Sequence, residues 1–177
     1  MSPEALPLEV DFGCHAGSFL IAMAEGFPSR NFLGIERQSA RVDRCNARIR
    51  RRGLPNALAI RGEGHAAWSG LLPDASVAIL NVSFPDPWPK RRHARRRLVN
   101  SAFLAAAARV LRPEGTLRLM TDDADYFSGM KILSAEGWQE VAWNDGVERP
   151  ATTFEKTFLK LGKPAFRLAL RPGARST

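Results

Sequence analysis

Strand-like and helical patterns alternate along most of this chain, and the alternation restricts it to few architectures. Five short apolar runs are typical of strands: residues 8–12, 32–35, 57–60, 77–84 and 116–120. Four segments have helical length and periodicity: residues 19–25, 39–52, 99–111 and 123–136. Such β-α repetition predicts an α/β fold with a mostly parallel sheet, helices on both faces and a ligand site at the carboxyl ends of the strands.

The last third of the sequence completes the predicted sheet. Residues 138–143 and 166–170 are two further strand candidates, which gives seven strands, and residues 152–161 between them favour a short helix. Residues 53–56 and 112–115 contain the proline and glycine signals expected between a helix and the next strand. With 177 residues, we predict one domain over residues 1–177, with a frayed tail at residues 171–177.

The charge of the chain favours an anionic partner. The net charge is +8, and much of the excess lies in residues 37–52, with seven arginines, and residues 90–97, with six permanently charged basic side chains in eight positions. Blocks of this kind are typical of nucleic-acid binding. No apolar stretch approaches the roughly 20 residues of a membrane span, and residues 1–4 lack the basic start of a signal peptide, so we expect a cytoplasmic protein that does not bind membranes.

Cysteine and histidine are too sparse to support a disulfide framework or a metal site. Cys14 and Cys45 are the only cysteines, and the three histidines are scattered. We therefore predict free thiols and no bound metal.

Acidic residues close the first two predicted strands, as expected of a nucleoside-binding site. Asp11 and Gly13 lie where strand one turns into a helix, and Glu36 follows strand two, where an acid typically accepts hydrogen bonds from ribose hydroxyls. The turn lacks the G-x-G-x-x-G spacing of a dinucleotide site, and Asp11 would repel phosphate. S-adenosylmethionine fits better, because its sulfonium and ammonium groups are attracted to a carboxylate. Glu63, after strand three, is either an adenine contact or an ordinary loop acid.

A further acid, Asp86, lies between two prolines in the segment Ser83-Phe84-Pro85-Asp86-Pro87-Trp88-Pro89. Proline fixes its own φ and favours extended geometry in the residue before it, so we expect a rigid loop with extended backbone at Phe84, Asp86 and Trp88. The adjoining basic residues 90–97 suggest a polyanion beside that carboxylate. Trp88 either stacks on a base or anchors the loop by packing.

The chain resembles the bacterial tRNA (guanine-N7)-methyltransferase family over residues 8–170. The most specific motif is F-P-D-P-W-P-K-[KR]-R-H at residues 84–93, followed by the family's T-x-[FY]-E segment at residues 152–155 and G-K-P at residues 162–164. The resemblance implies a Rossmann-like class I methyltransferase fold and methylation of a variable-loop guanine in tRNA, with S-adenosylmethionine as the methyl donor.

The resemblance also implies roles for individual residues. The donor would contact Asp11, Gly13, Glu36, Glu63 and Asp86, and Asp86 would be the catalytic acid. The substrate nucleotide would contact Lys90, Asp122, Thr152, Thr153, Phe154 and Glu155. This chain departs from the family at Asp11, where the family usually has Glu, and at His15, which replaces a glycine.

Several of these residues have alternative interpretations. Asp122 could cap the helix that starts near residue 124, and Thr152 or Thr153 could cap the next helix. Arg41, Arg44 and Arg48 form one helical face that either contacts tRNA or is merely solvated.

The function and assembly also leave alternatives open. The resemblance implies a basic segment before strand one in many relatives. Because strand one is predicted to start at residue 8, we expect either that the arginine blocks replace this segment or that the grip on tRNA is weak. A methyltransferase with another acceptor, or an RNA-binding protein of the same fold that has lost catalysis, are the alternative functions. We expect a monomer or a homodimer.

Overall fold

The computed structural model describes residues 6–63 and 70–173 and contains a seven-stranded sheet. The strand order is β3-β2-β1-β4-β5-β7-β6, and every pairing is parallel except those of β7, which runs antiparallel to both neighbours. The strands are β1 (Leu8–Phe12), β2 (Asn31–Glu36), β3 (Ala57–Arg61), β4 (Val77–Ser83), β5 (Leu111–Thr121), β6 (Trp138–Val141) and β7 (Phe166–Pro172). The predicted seven-stranded, mostly parallel α/β sheet is therefore confirmed.

Helices cover both faces of this sheet because the strand residues alternate in direction. Val10 and Phe12 of β1 pack in one hydrophobic cluster with residues of two later helices, whereas Phe32 of β2 packs in a second cluster with the first two helices. The helices are α1 (Ser18–Gly26), α2 (Ser39–Arg51), α3 (Ser101–Val110), α4 (Ala124–Leu133) and α5 (Thr153–Lys160), with a 3-10 helix at Arg91–Arg96.

Two predicted boundaries are wrong. Residues 112–115, expected to separate a helix from a strand, lie within β5 as an irregularity: Val77 pairs with Leu111, but Ile79 pairs with Thr116. A Cβ at Gly115 would lie 2.9 Å from the carbonyl oxygen of Val77, so the backbone there passes closely against β4.

The predicted frayed tail is the second error. Arg171 and Pro172 belong to β7, where they pair with β6, and the guanidinium of Arg171 lies 3.0 Å from the carboxylate of Glu114. Sheet pairing, which the short apolar run did not reveal, orders them; residues 174–177 lie outside the described residues.

Among the described residues, no helix is long and apolar enough to cross a membrane. Cys14 and Cys45 are buried free thiols, as predicted. Both lie in the second cluster, Cys14 in the turn after β1 and Cys45 in α2. The carboxyl ends of β1, β2 and β4 lie side by side, which brings the loops that follow these strands together.

Candidate active site

A cleft of about 430 Å³ opens at the carboxyl ends of β1, β2 and β4. An adjoining cavity of about 180 Å³ lies towards α1 and α5. The cleft is lined by five of the predicted site residues, namely Gly13, Glu36, Glu63, Asp86 and Phe154. The cavity is lined by Asp11, Gly13, Thr152, Thr153 and Phe154. The fold therefore gathers residues from most of the chain around one continuous depression.

The turn after β1 leaves room for a ligand at Gly13. Its φ is +84°, a left-handed conformation that favours glycine, and a Cβ there would meet nothing within 4 Å. Gly17 serves packing instead, since a Cβ at this position would collide with the Cys45 thiol. Arg48 of α2 fastens the turn by donating to the carbonyl of Ala16 and, at 3.3 Å, to the hydroxyl of Ser18. Of the turn glycines, Gly13 is thus the one that faces the cleft.

Glu36 is held in the cleft by backbone donors. Its Oε2 accepts from the N–H of His15 at 3.1 Å, and its Oε1 accepts from the N–H of Gln38 at 3.0 Å. The guanidinium of Arg41 lies 3.8 Å from Oε1. Each carboxylate oxygen has a second lone pair, so the buried group remains able to accept from hydroxyls of a ligand.

Asp11 is buried near two other carboxylates, Glu9 and Glu36, each of which also lies within 4 Å of an arginine guanidinium. It shares a face of β1 with Glu9, and both are buried. Burial, together with the charges of Glu9 and Glu36, raises the pKa of Asp11 to about 7. A cation beside Asp11 would relieve this repulsion, which makes the cavity suited to a positively charged ligand.

The loop after β4 does not have the backbone conformation expected from its prolines. Phe84 and Trp88 have φ of +52° and +45°, so they adopt left-handed rather than extended backbone. Tertiary contacts override the local preference: the N–H of Phe84 donates to the carbonyl of Met120 at 2.7 Å, and the Phe84 ring packs 5.0 Å from that of Phe158. The carboxylate-bearing Asp86 between them is exposed and lines the cleft.

The basic segment after this loop divides into outward and inward side chains. The guanidinium of Arg96 lies 5.0 Å over the ring of Trp88, and both residues line the cleft. Arg97 turns inward: it donates to the carbonyl of Pro87 at 2.8 Å and binds Asp125 at 2.8 Å. Arg92 and Arg95 are exposed. Arg97 is therefore a partner of the loop rather than part of a free basic surface.

The segment 152–155 begins α5 with a complete capping box. The hydroxyl of Thr152 accepts from the N–H of Glu155 at 3.1 Å, and the Glu155 carboxylate accepts from the N–H of Thr152 at 3.2 Å. The other Glu155 oxygen accepts from Arg167 at 2.7 Å. This capping leaves Phe154 half-exposed above the cleft.

Comparison with known proteins agrees with this geometry. The family model described as putative methyltransferase matches residues 5–168. A tRNA (guanine-N(7)-)-methyltransferase of Leifsonia xyli is 40% identical over 94% of this chain and 76% of its own length. A protein of the same name from Levilactobacillus brevis is 37% identical over 90% of this chain and 78% of its own. This chain belongs to the tRNA (guanine-N7)-methyltransferase family. The family membership that the sequence motifs indicated is confirmed.

Solved structures agree with this family's fold. A SAM-dependent methyltransferase from Aquifex aeolicus superposes with a TM-score of 0.65, at 16% identity, over 94% of this chain and 84% of its own. The antibiotic-resistance methyltransferase Kmr superposes with a TM-score of 0.65, at 19% identity, over 96% and 88%. These likenesses confirm the Rossmann-like class I methyltransferase fold predicted for this family member.

The remaining residues predicted from the tRNA (guanine-N7)-methyltransferase motifs lie around the depression rather than in it. Among the described residues, Lys90, Asp122 and Glu155 line neither the cleft nor the cavity. Asp122 does not cap α4, because Asp123 accepts from the N–H of Tyr126 at 2.7 Å. Asp122 instead lies 3.3 Å from Lys163, a residue of the G-K-P motif. Glu63 is exposed at the edge of the cleft.

The lining residues that were not predicted as site residues include four with basic side chains: His15, Arg37, Arg41 and Arg96. The sequence placed Arg41 on a helical face that either contacts tRNA or is solvated, and Arg96 in a basic block, but neither pattern located them in this cleft. Their position in the cleft depends on tertiary packing. In the described part of the chain, no group of three or more His, Cys, Asp or Glu residues is arranged to hold a metal ion.

Proposed function

We propose that this chain transfers a methyl group from S-adenosylmethionine to N7 of a guanine in the variable loop of tRNA. The observation that carries the proposal is one cleft, in a chain of this family, that is lined by both the backbone-anchored acid Glu36 and the proline-bracketed acid Asp86. The two acids suit the two substrates: Glu36 suits the ribose of the methyl donor, and Asp86 suits the acceptor base.

The residues of the depression fit this donor. Gly13 allows close approach of a ligand to the backbone, and Glu36 has free lone pairs for ribose hydroxyls. Asp11 lines the adjoining cavity, where a cationic amine or sulfonium would offset the repulsion between buried carboxylates. When bound, S-adenosylmethionine supplies an electrophilic methyl group on a positively charged sulfur. Glu63, at the outer edge of the cleft, would contact the adenine.

Asp86 would position the acceptor and stabilise the charge that develops on it. Guanine N7 has an in-plane lone pair and no proton, so the reaction needs placement rather than a general base, and good placement is worth on the order of 7–11 kcal/mol. The purine gains positive charge during transfer, and a fixed carboxylate beside the ring favours that change. Asp86 could also accept hydrogen bonds from the guanine N1–H and amino group, which would select guanine.

The segment 152–155, Asp122 and Lys90 would contact the substrate nucleotide around the cleft. Phe154 presents a half-exposed ring to the cleft, and the capping box holds Thr152 and Glu155 in fixed positions beside it. Lys90 is exposed at the start of the 3-10 helix and would bind phosphate. The exposed Arg92 and Arg95 extend this basic surface along the same helix.

Incubation of the purified chain with unmodified tRNA and the donor, followed by nucleoside mass spectrometry, tests the proposal. We expect 7-methylguanosine in the parent tRNA and none in a transcript whose variable-loop guanine is replaced by adenine. Methylation of both transcripts to the same extent would contradict the proposed position. Absence of 7-methylguanosine, with tRNA still retained on a filter, would favour an RNA-binding protein without catalysis.

A further inference from the structure

The backbone and the side chain of His15 make different contacts. Its φ is +52°, a conformation that disfavours most side chains but is tolerated by histidine more often than by bulky residues. Its N–H donates to Glu36, and any residue except proline could supply that donor. The contact that requires the side chain is therefore the one its imidazole makes.

The imidazole contacts Phe154. The two ring centroids are 6.3 Å apart and the planes are perpendicular, which is a favourable edge-to-face arrangement. Both residues line the cleft and the adjoining cavity, so their contact lies at the junction of the two. Phe154 also packs against Phe84 and Phe158, at centroid distances of 6.4 and 6.2 Å. His15 is thus the contact that joins this aromatic group to the turn after β1.

The charge state of the imidazole agrees with a packing role. Burial, with the nearby Arg41 and Arg44, lowers the pKa of His15 despite the opposing effect of Glu36. The lowered pKa favours the neutral ring, which does not repel a cationic donor.

We propose that His15 is a positioning residue whose imidazole holds Phe154, and with it the start of α5, against the junction of the donor cleft and the cavity. The proposal rests on the proposed function, because it takes the cleft to be the donor site. On this proposal the His15 side chain, although its backbone is in a disfavoured conformation, completes the wall that Phe154 forms.

The variant His15→Gly isolates the side chain, since it keeps the N–H that donates to Glu36 and relieves the backbone. We expect a higher melting temperature together with weaker donor binding. Removal of an edge-to-face aromatic pair corresponds to a roughly 2- to 12-fold change in an equilibrium constant. A purely structural role would move stability and affinity in the same direction. His15→Asn, which tolerates the left-handed conformation but lacks the ring, should show the same loss of affinity.

Ala75 provides a matched control for the backbone effect. It has a φ of +50° and lies in the loop before β4, away from the cleft lining. Ala75→Gly should raise the melting temperature without changing donor affinity.

A double-mutant cycle with Phe154→Leu, measured by calorimetry with S-adenosylmethionine and no tRNA, tests whether His15 acts through Phe154. We expect His15→Gly to weaken binding in the parent but by less than about twofold in the Phe154→Leu background. Equal losses in both backgrounds, or no loss in the parent, would overturn the proposal. If the parent itself does not bind the donor, the proposed function fails, and this proposal fails with it. If the parent binds and His15→Gly binds equally well, this proposal alone fails.

Discussion

The guanidinium of Arg97 donates its Nε–H to the carbonyl of Pro87 across 2.8 Å and thereby ties the Asp86 loop to the protein interior. The same guanidinium binds Asp125 at the start of α4 and lies 4.8 Å over the ring of Tyr126. Tyr126 is fully buried, and its hydroxyl accepts from the N–H of Val99 at 2.9 Å. The position of Asp86 therefore depends on a residue that the sequence assigns to a basic block.

Arg97→Lys keeps the positive charge but loses the planar guanidinium, which donates to Pro87 and Asp125 at the same time. We expect a fall in single-turnover methyl transfer of about tenfold to 10²-fold, because small displacements of a reacting group reduce rates by this order. The dependence of tRNA binding on salt should remain that of the parent. A variant with parental turnover would show that Arg97 does not position the loop.

Arg95→Gln is the matched surface change, because Arg95 is exposed on the same 3-10 helix. If it contacts phosphate, the slope of log affinity for tRNA against log salt should become shallower by roughly 1. Turnover at saturating tRNA should change little, in contrast to Arg97→Lys. Filter binding over a salt series measures the slope, and an unchanged slope would exclude Arg95 from the tRNA interface.

Asp86→Asn should leave the fold intact, because the side chain is exposed and the prolines shape the loop independently of it. Removal of one preorganised charge beside the reacting base typically costs on the order of 10²–10³ in rate. We expect this loss in single-turnover transfer at saturating donor and tRNA. Transfer within about threefold of the parent would exclude Asp86 from the proposed catalytic role.

Asp11 should make donor binding depend on pH near neutrality. Its pKa of about 7 means that the carboxylate is protonated as the pH falls below this value, and a cationic donor favours the ionised form. Affinity measured by calorimetry should therefore fall by up to about tenfold per pH unit below pH 7. Asp11→Asn should bind weakly with little pH dependence attributable to this site.

The same carboxyl group should reduce stability at high pH. A raised pKa means that the folded chain holds the proton more tightly than the unfolded chain, so unliganded protein loses stability as the pH rises from about 4 through 7. The variant Asp11→Asn has no ionisable group at this position, so it should not lose stability in this way. Its melting temperature should exceed that of the parent at pH 8 and approach it near pH 4, and the reverse order at pH 8 would contradict the raised pKa.

The order of strands and helices was available from the sequence alone, because apolar periodicity is a local signal. The same holds for three acids near the carboxyl ends of strands, because parallel strands end at the same edge of a sheet: Asp11 lies within β1, Glu36 ends β2 and Asp86 follows β4. The resemblance at residues 84–93 and 152–155 predicted the reaction, which is methylation of a guanine in tRNA.

Tertiary structure decided what local patterns leave undetermined. Whether an arginine of the basic block faces solvent or the interior depends on acceptors supplied by distant segments, as Asp125 does for Arg97. Phe84 and Trp88 depart from the extended backbone that proline favours, and in Phe84 a hydrogen bond to β5 accompanies that departure. His15 contacts Phe154 only because the turn after β1 and the start of α5 lie together at the carboxyl edge of the sheet. Such contacts join residues far apart in the chain, so their energies depend on packing and have no signature in local periodicity.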